Sequence, residues 1–425
     1  MTKHYHFLVF LFLFFTTIHA QTTAIPDANF EQALITLGID SDNTVNGSVL
    51  TADISGVTTL NLNYKNIVSL AGIEDFTSLT HLECHYNSIV NLDISQNTAL
   101  TYLGVASNLL TNIDVSQNTA LAYLGLNNNL LTSINVNQNT ALTYLGVASN
   151  LLTNIDASQN TALDTFICGY NELTALDVSK NLALTNLSCS NNQLTSLDVT
   201  QNTALIYLSC FNNKITQLDI SQNTALTIIT CYSNLLTSLD LSKNLALTDL
   251  LCYSNQITSL DLSQNTALIA IDCKSNNLDI INIENGNNAI ITYFNSMYNG
   301  GNTCIQVDNA SAANAFETPY NSGWWFDFNQ PGSTWPFSDD CTTLNVDDDL
   351  LVKGLHLYPN PVSNVLSIDS QVPLTKVEIY SVFGQKVTEI YSGFKTIETD
   401  NLSSGMYIFK IYSDNGTAVK KLIKQ

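Results

Sequence analysis

Arginine is absent from this chain: its 14 basic residues are all lysine, set against 36 acids. A formal charge of −22 with no guanidinium repels phosphate backbones and anionic lipid surfaces, which argues against any nucleic-acid partner. Histidine is scarce too. Past residue 20 only His81, His85 and His356 remain, and no serine, cysteine or carboxylate pair has a recognisable base and orienting partner around it. The expectation is therefore no enzyme and no cofactor. His81, Glu83 and His85 share one strand face, but three ligands on one flat strand diverge, so no metal is expected either. Long apolar runs are missing after the first 20 residues, and with them any expected transmembrane span.

Those first residues, MTKHYHFLVFLFLFFTTIHA, place Lys3 before the apolar run Phe7–Phe15 and end on small Ala20. This reads as a secretory signal peptide over residues 1–20, with no cysteine following it to carry a lipid. The remaining lysines are uneven. Five lie at Lys65, Lys180, Lys214, Lys243 and Lys274, and eight between Lys353 and Lys424. The run Asp347-Asp348-Asp349 at the change of character reads as an acidic linker, residues 346–352.

What the chain does have is repetition. SQNTAL starts at Ser95, Ser116, Ser158, Ser221 and Ser263, with variants from Asn137, Ser179, Thr200 and Ser242, and every interval is a multiple of 21. One unit, LTHLECHYNSIVNLDISQNTA (Leu79–Ala99), puts apolar residues at Leu79, Leu82, Cys84, Ile89, Leu92 and Ile94 and asparagine at Asn87 and Asn97. It resembles a leucine-rich repeat, and the resemblance implies about twelve coils of a solenoid over residues 57–298. No coil can bury its leucines alone, so each does so against its neighbours. A shift of ten overlays Leu82, Cys84 and Asn87 on Leu92, Ile94 and Asn97. Each coil is thus two nested strand–turn halves, and SQNTAL is the second corner. The expected fold is mainly β, a solenoid of 21-residue nested coils with parallel sheets. Two such sheets should face each other with weak curvature. Residues 21–56 should cap one end with a short helix within Ile25–Gly38, which has Asp27 before it and Gly38 at its stop. Residues 299–345, with Trp324, Trp325 and Trp335, should cap the other.

Three ladders run through the repeats. Cys84, Cys168, Cys189, Cys210, Cys231, Cys252 and Cys273 share a slot that Val105, Leu126 and Val147 fill elsewhere. A slot that takes valine and leucine is a core slot. In-register strands also hold such residues about 4.8 Å apart, too far for an unstrained bridge. Cys304 and Cys341 are left over and should pair in an oxidising compartment. The second ladder, Asp93, Asp114, Asp156, Asp177, Asp198, Asp219, Asp240 and Asp261, has Asn135 in one place. Because asparagine accepts a bond but holds no charge, local backbone N–H groups are the expected partners; loose calcium binding is the alternative. The third ladder is aromatic and faces outward: Tyr102, Tyr123 and Tyr144, then Tyr207, Phe211, Tyr232 and Tyr253. Such rings suit recognition of a protein or a glycan outside the cell, or they stiffen the sheet by stacking on each other.

After the linker come four strand-like blocks, LYPNPVSNVLSI (Leu357–Ile368), VEIYSVFGQKV (Val377–Val387), NLSSGMYIFKI (Asn401–Ile411) and VKKLIKQ. By themselves they describe a small all-β domain, residues 353–425. With Pro359-Asn360-Pro361, Gly384, Gly405, Tyr407, Lys420 and Lys421 they resemble the type A C-terminal sorting domain of the type IX secretion system in Bacteroidetes. The resemblance implies a β-sandwich read by an outer-membrane translocon and removed by a sortase-like protease, leaving a secreted or surface-bound passenger. Together these readings describe a leucine-rich-repeat module for protein–protein interaction or adhesion. The alternative is a carbohydrate-binding solenoid using the tyrosine ladder.

Overall fold

The computed structural model describes residues 21–299, 303–326, 336–341, 355–381, 386–413 and 416–425. The expected signal peptide and acidic linker, Trp335 and Gly384 lie outside them. The chain divides into two compact units, Met1–Asp339 and Asp340–Gln425.

In the first unit each coil contributes a short strand, three residues long in twelve cases such as Tyr102–Gly104 and two in the last, to one 13-stranded parallel sheet running from Thr59–Asn61 to Trp324–Trp325. The 21-residue spacing sets the register: Tyr102 pairs with Tyr123 and Tyr123 with Tyr144. A slip of one residue would turn every core leucine to solvent. Leu103, Leu124 and Leu145 point inward and are fully buried, as are all seven ladder cysteines. Three residues past each of these strands up to Tyr293–Asn295, one residue, for example Ser107 at φ 58°, takes the left-handed conformation. The following asparagine holds that bend. Asn108 donates through Nδ2 to the carbonyls of Cys84 at 2.9 Å and Val105 at 3.1 Å, and its Oδ1 accepts the N–H of Ile89 at 3.0 Å. One side chain thereby satisfies backbone groups of two successive coils.

The second face differs from the expected pair of complete sheets. Among the described residues it carries strands only at Ser259–Asp261, Ile280–Asn282, Cys304–Gln306 and Phe337–Ser338. In earlier coils Leu92 and Ile94 are buried as the alternation requires, yet they belong to no strand. Alternation reports which side chains face inward, not whether neighbouring backbones come within ladder distance. The second corner is stitched by side chains instead: Asn118 Nδ2 donates to the carbonyls of Ile94 at 3.0 Å and Asn97 at 2.9 Å.

Both ends are covered. Helix Ala28–Thr36 is capped by Asp27, whose Oδ1 accepts from Asn29 and Phe30 while Oδ2 accepts from Val68 and Ser69 of the first coil. Phe30 and Leu34 are thereby buried against the array. At the far end Trp324 packs on Phe294 with ring centroids 4.7 Å apart, next to Phe326 and Phe337. Cys304 and Cys341 are disulfide-bonded.

The second unit has two antiparallel sheets. One is formed by Leu355–Tyr358, Val365–Ser370 and Thr396–Glu398; the other by Lys386–Ile390, Leu374–Ser381, Gly405–Ser413 and Gly416–Lys424. Leu366, Ile368, Val377, Ile379, Phe409 and Leu422 form their common core.

Candidate binding surface and export domain

Outward positions of the 13-stranded sheet form columns, one residue per coil. In the first column an aromatic stack starts with His81, next to Thr59, and continues through Tyr102, Tyr123 and Tyr144, with ring centroids 4.0, 4.1 and 4.3 Å apart and planes within 12° of parallel. His81 occupies the tyrosine position one coil earlier, a correspondence visible in the 21-residue period though not in residue type. A second stack, Phe211–Tyr232–Tyr253, lies two residues past the strand in each coil, with centroids 4.3 and 4.2 Å apart. Lys274 closes it, its Nζ 4.7 Å above the Tyr253 ring. Tyr207 shares the first column but pairs with Asn186 and Ile228, so it stands outside both stacks. Tyr64 and Tyr86 form a further stack in the left-handed bend position, centroids 4.4 Å apart.

The glycines explain how the first stack fits. A Cβ on Gly125 would come within 3.0 Å of Cε1 and 3.1 Å of the hydroxyl of Tyr123, so that ring occupies the space the glycine leaves. Stacking has a chemical consequence. Ring faces inside a stack are taken by their neighbours, so the surface presents ring edges and hydroxyls. Burial, with Tyr102 beside it, pushes the Tyr123 hydroxyl up to about 12; burial and Tyr253 do the same for Tyr232. Both hydroxyls remain protonated hydrogen-bond donors at neutral pH.

The other ladders hold structure together. Cys168 and Cys231 are pushed up to about 12 by burial, so these thiols stay protonated and inert. Each ladder aspartate from Asp93 to Asp261 accepts the backbone N–H two residues on, as Asp114 does from Ser116 at 2.8 Å. Asn135 makes the same bond to Asn137 at 3.1 Å. His81 Nε2 meets Glu83 Oε1 at 3.2 Å, while His85 Nδ1 accepts the N–H of Ala106 at 2.9 Å. Burial lowers the His85 pKa and keeps that nitrogen an acceptor.

In the second unit Asn360 bonds the last strand through both ends of its amide, to the Lys421 carbonyl and the Ile423 N–H. Gly405 and Lys421 lie on the adjoining strands, and Tyr407 donates its hydroxyl to the Ser403 carbonyl at 3.0 Å. A charge network not anticipated from the sequence sits on the same sheet. Glu378 accepts from Tyr412, Tyr380 and Lys376, which together hold its carboxyl down at about 2.

Residues 356–425 match the secretion system C-terminal sorting domain. Over 96% of the chain, the structure is similar to the functional domain of InlJ from Listeria monocytogenes, all of which is covered, at 27% identity and a TM-score of 0.65. That domain includes a cysteine ladder. An internalin, inlF, of the same organism aligns over 74% of this chain and 100% of its own at 21% identity and TM-score 0.57. A leucine-rich-repeat protein of Leptospira interrogans aligns over 63% and 69% at 22% identity and TM-score 0.53. No curated protein matches the chain. Stacked coils with their asparagine bends and a matched export tail give one conclusion: the chain is a leucine-rich-repeat solenoid that ends in a type IX secretion sorting domain.

Proposed function

We propose that the protein is an exported, non-catalytic binding module that takes a protein partner on the outward face of its 13-stranded sheet. Export brings the type IX translocon and a sortase-like protease into contact with residues 353–425, and the passenger acts outside the cell. The observation that carries the reading is the pair of ordered aromatic stacks. Their rings are fixed before any ligand arrives, so little side-chain entropy is lost on binding. Ring edges and protonated hydroxyls suit the mixed apolar and polar surface of a protein. With five lysines against 30 acids in residues 21–352, the partner's contacting surface is basic.

A sugar reading needs exposed ring faces, and the stacks consume most of theirs. One place still favours it. Trp325, 46% exposed and tilted 47° against Tyr293, offers an indole surface beside Asn295. The test is a screen of the chain from Gln21 against extracellular protein and glycan arrays, repeated with Tyr123→Ala and Trp325→Ala. A protein ligand bound about tenfold more weakly by Tyr123→Ala supports the proposal. Glycan binding abolished by Trp325→Ala, with no protein ligand found, replaces it.

A further inference from the structure

The four-stranded sheet of the sorting domain ends on Gly416–Lys424, which pairs with Gly405–Ser413 on one side only. The outer edge of this last strand is half covered by the chain itself. There the Asn360 side chain stands in for a backbone unit: Nδ2 donates to the Lys421 carbonyl at 2.9 Å and Oδ1 accepts the Ile423 N–H at 2.8 Å. Val362 continues the line as a parallel bridge to Lys424, donating to the Ile423 carbonyl at 2.8 Å and accepting from Gln425 at 2.9 Å. Pro359 and Pro361 flank the asparagine and bring no N–H of their own. Residues 421, 423 and 425 therefore turn backbone groups outward, and strand alternation turns those of Val419 the same way. No strand among the described residues pairs with that stretch, and the Val419 side chain is 61% exposed.

An open edge is a template for another strand, and proteins that leave one blunt it with lysine and proline. Lys420, Lys421 and Lys424 stand along this edge. Residues 353–425 hold eight lysines against six acids, the reverse of the strongly acidic repeats. We propose that the stretch from Lys421 back to Val419 is where the secretion machinery docks, by adding an extended strand that carries acidic side chains. The single Val362 bridge shows that this edge accepts a neighbouring backbone. Backbone groups supply recognition that tolerates changes of side chain, and the lysines select for acids. The proposal rests on the sorting-domain match and is independent of what the repeats bind.

Val419→Pro tests it, because it removes one outward N–H while residues 418, 420 and 422 keep the ladder to Gly405–Ser413. The full chain is produced in a bacterium with a type IX system, and its surface-to-periplasm ratio is measured beside the melting curve of the purified protein. Val419→Pro is expected to melt like the parent yet lower that ratio about tenfold or more, while Val419→Ala is exported normally. Normal export of folded Val419→Pro overturns the proposal, as does an equal loss with Val419→Ala. If Val419→Pro does not fold, Lys421→Glu decides: the same loss is expected, and unchanged export overturns it.

Discussion

Asparagine does two different jobs at the two corners of a coil. Asn150 donates to the carbonyls of Leu126, Val147 and Ala148, and its Oδ1 accepts from Leu131. Asn160 donates to Val136 and Asn139, and its Oδ1 meets no donor among the described residues. Truncating Asn150 strands a buried N–H as well as carbonyls, so Asn150→Ala should cost about 3 kcal/mol and Asn160→Ala about 1–2 kcal/mol, read from urea denaturation. Equal losses would mean that the acceptor at the first corner contributes nothing. The aspartates tie the stability of the repeats to pH. From Asp93 to Asp240 the N–H of the residue two positions on lowers the folded pKa. A depressed folded pKa contributes stability above the unfolded value near 3.9 and loses it as pH falls through the folded value. The melting temperature of the repeats should therefore fall below about pH 4. Asp114→Asn should keep the bond, as Asn135 does, but lower the melting temperature slightly at pH 7 and remove this residue's share of the loss in acid, because asparagine brings no charge.

The strand and its ladders respond as units. Gly125→Val presses on the Tyr123 ring and should weaken its two stacked pairs, an expected loss of about 1–3 kcal/mol. Calorimetry on this variant would falsify the packing role if its melt coincided with the parent's. The cysteine slot makes a separate claim. Cys84 and the six from Cys168 to Cys273 are free and buried, while Cys304 and Cys341 are bonded. Thiol counting on denatured, non-reduced chain should find seven, and five or fewer would show bridges within the ladder.

For the whole array the 21-residue period is the unit that can be added or removed. TYLGVASNLLTNID occurs at Thr101–Asp114 and again at Thr143–Asp156. Deleting residues 102–143 joins identical contexts and sets Tyr144 against His81, so it should leave a cooperative fold shorter by about 10 Å at one strand spacing per coil. Deleting 32 residues from the same point throws the cysteine and aspartate columns out of line. If both deletions melt alike, the coil is not the structural unit.

Local chemistry that repeats every 21 residues was legible from residue order. Coil length, the inward leucines, the asparagine bends and the Cys304–Cys341 pair each depend on one residue type at one position. The export tail carried its own motifs and needed no packing information. Residue order did not show that the second face forms strands only near the C-terminal end, since that depends on how closely whole backbones approach. Nor could it separate rings lying flat from rings stacked face to face. Stacking needs the spacing between coils as well as the glycines, and only the assembled sheet sets that distance. The same holds for Asn360. Its motif marks an export tail, but the amide becomes an edge cap only when Gly416–Lys424 comes alongside from the far end of the domain, where hydrogen bonds and not sequence proximity hold it.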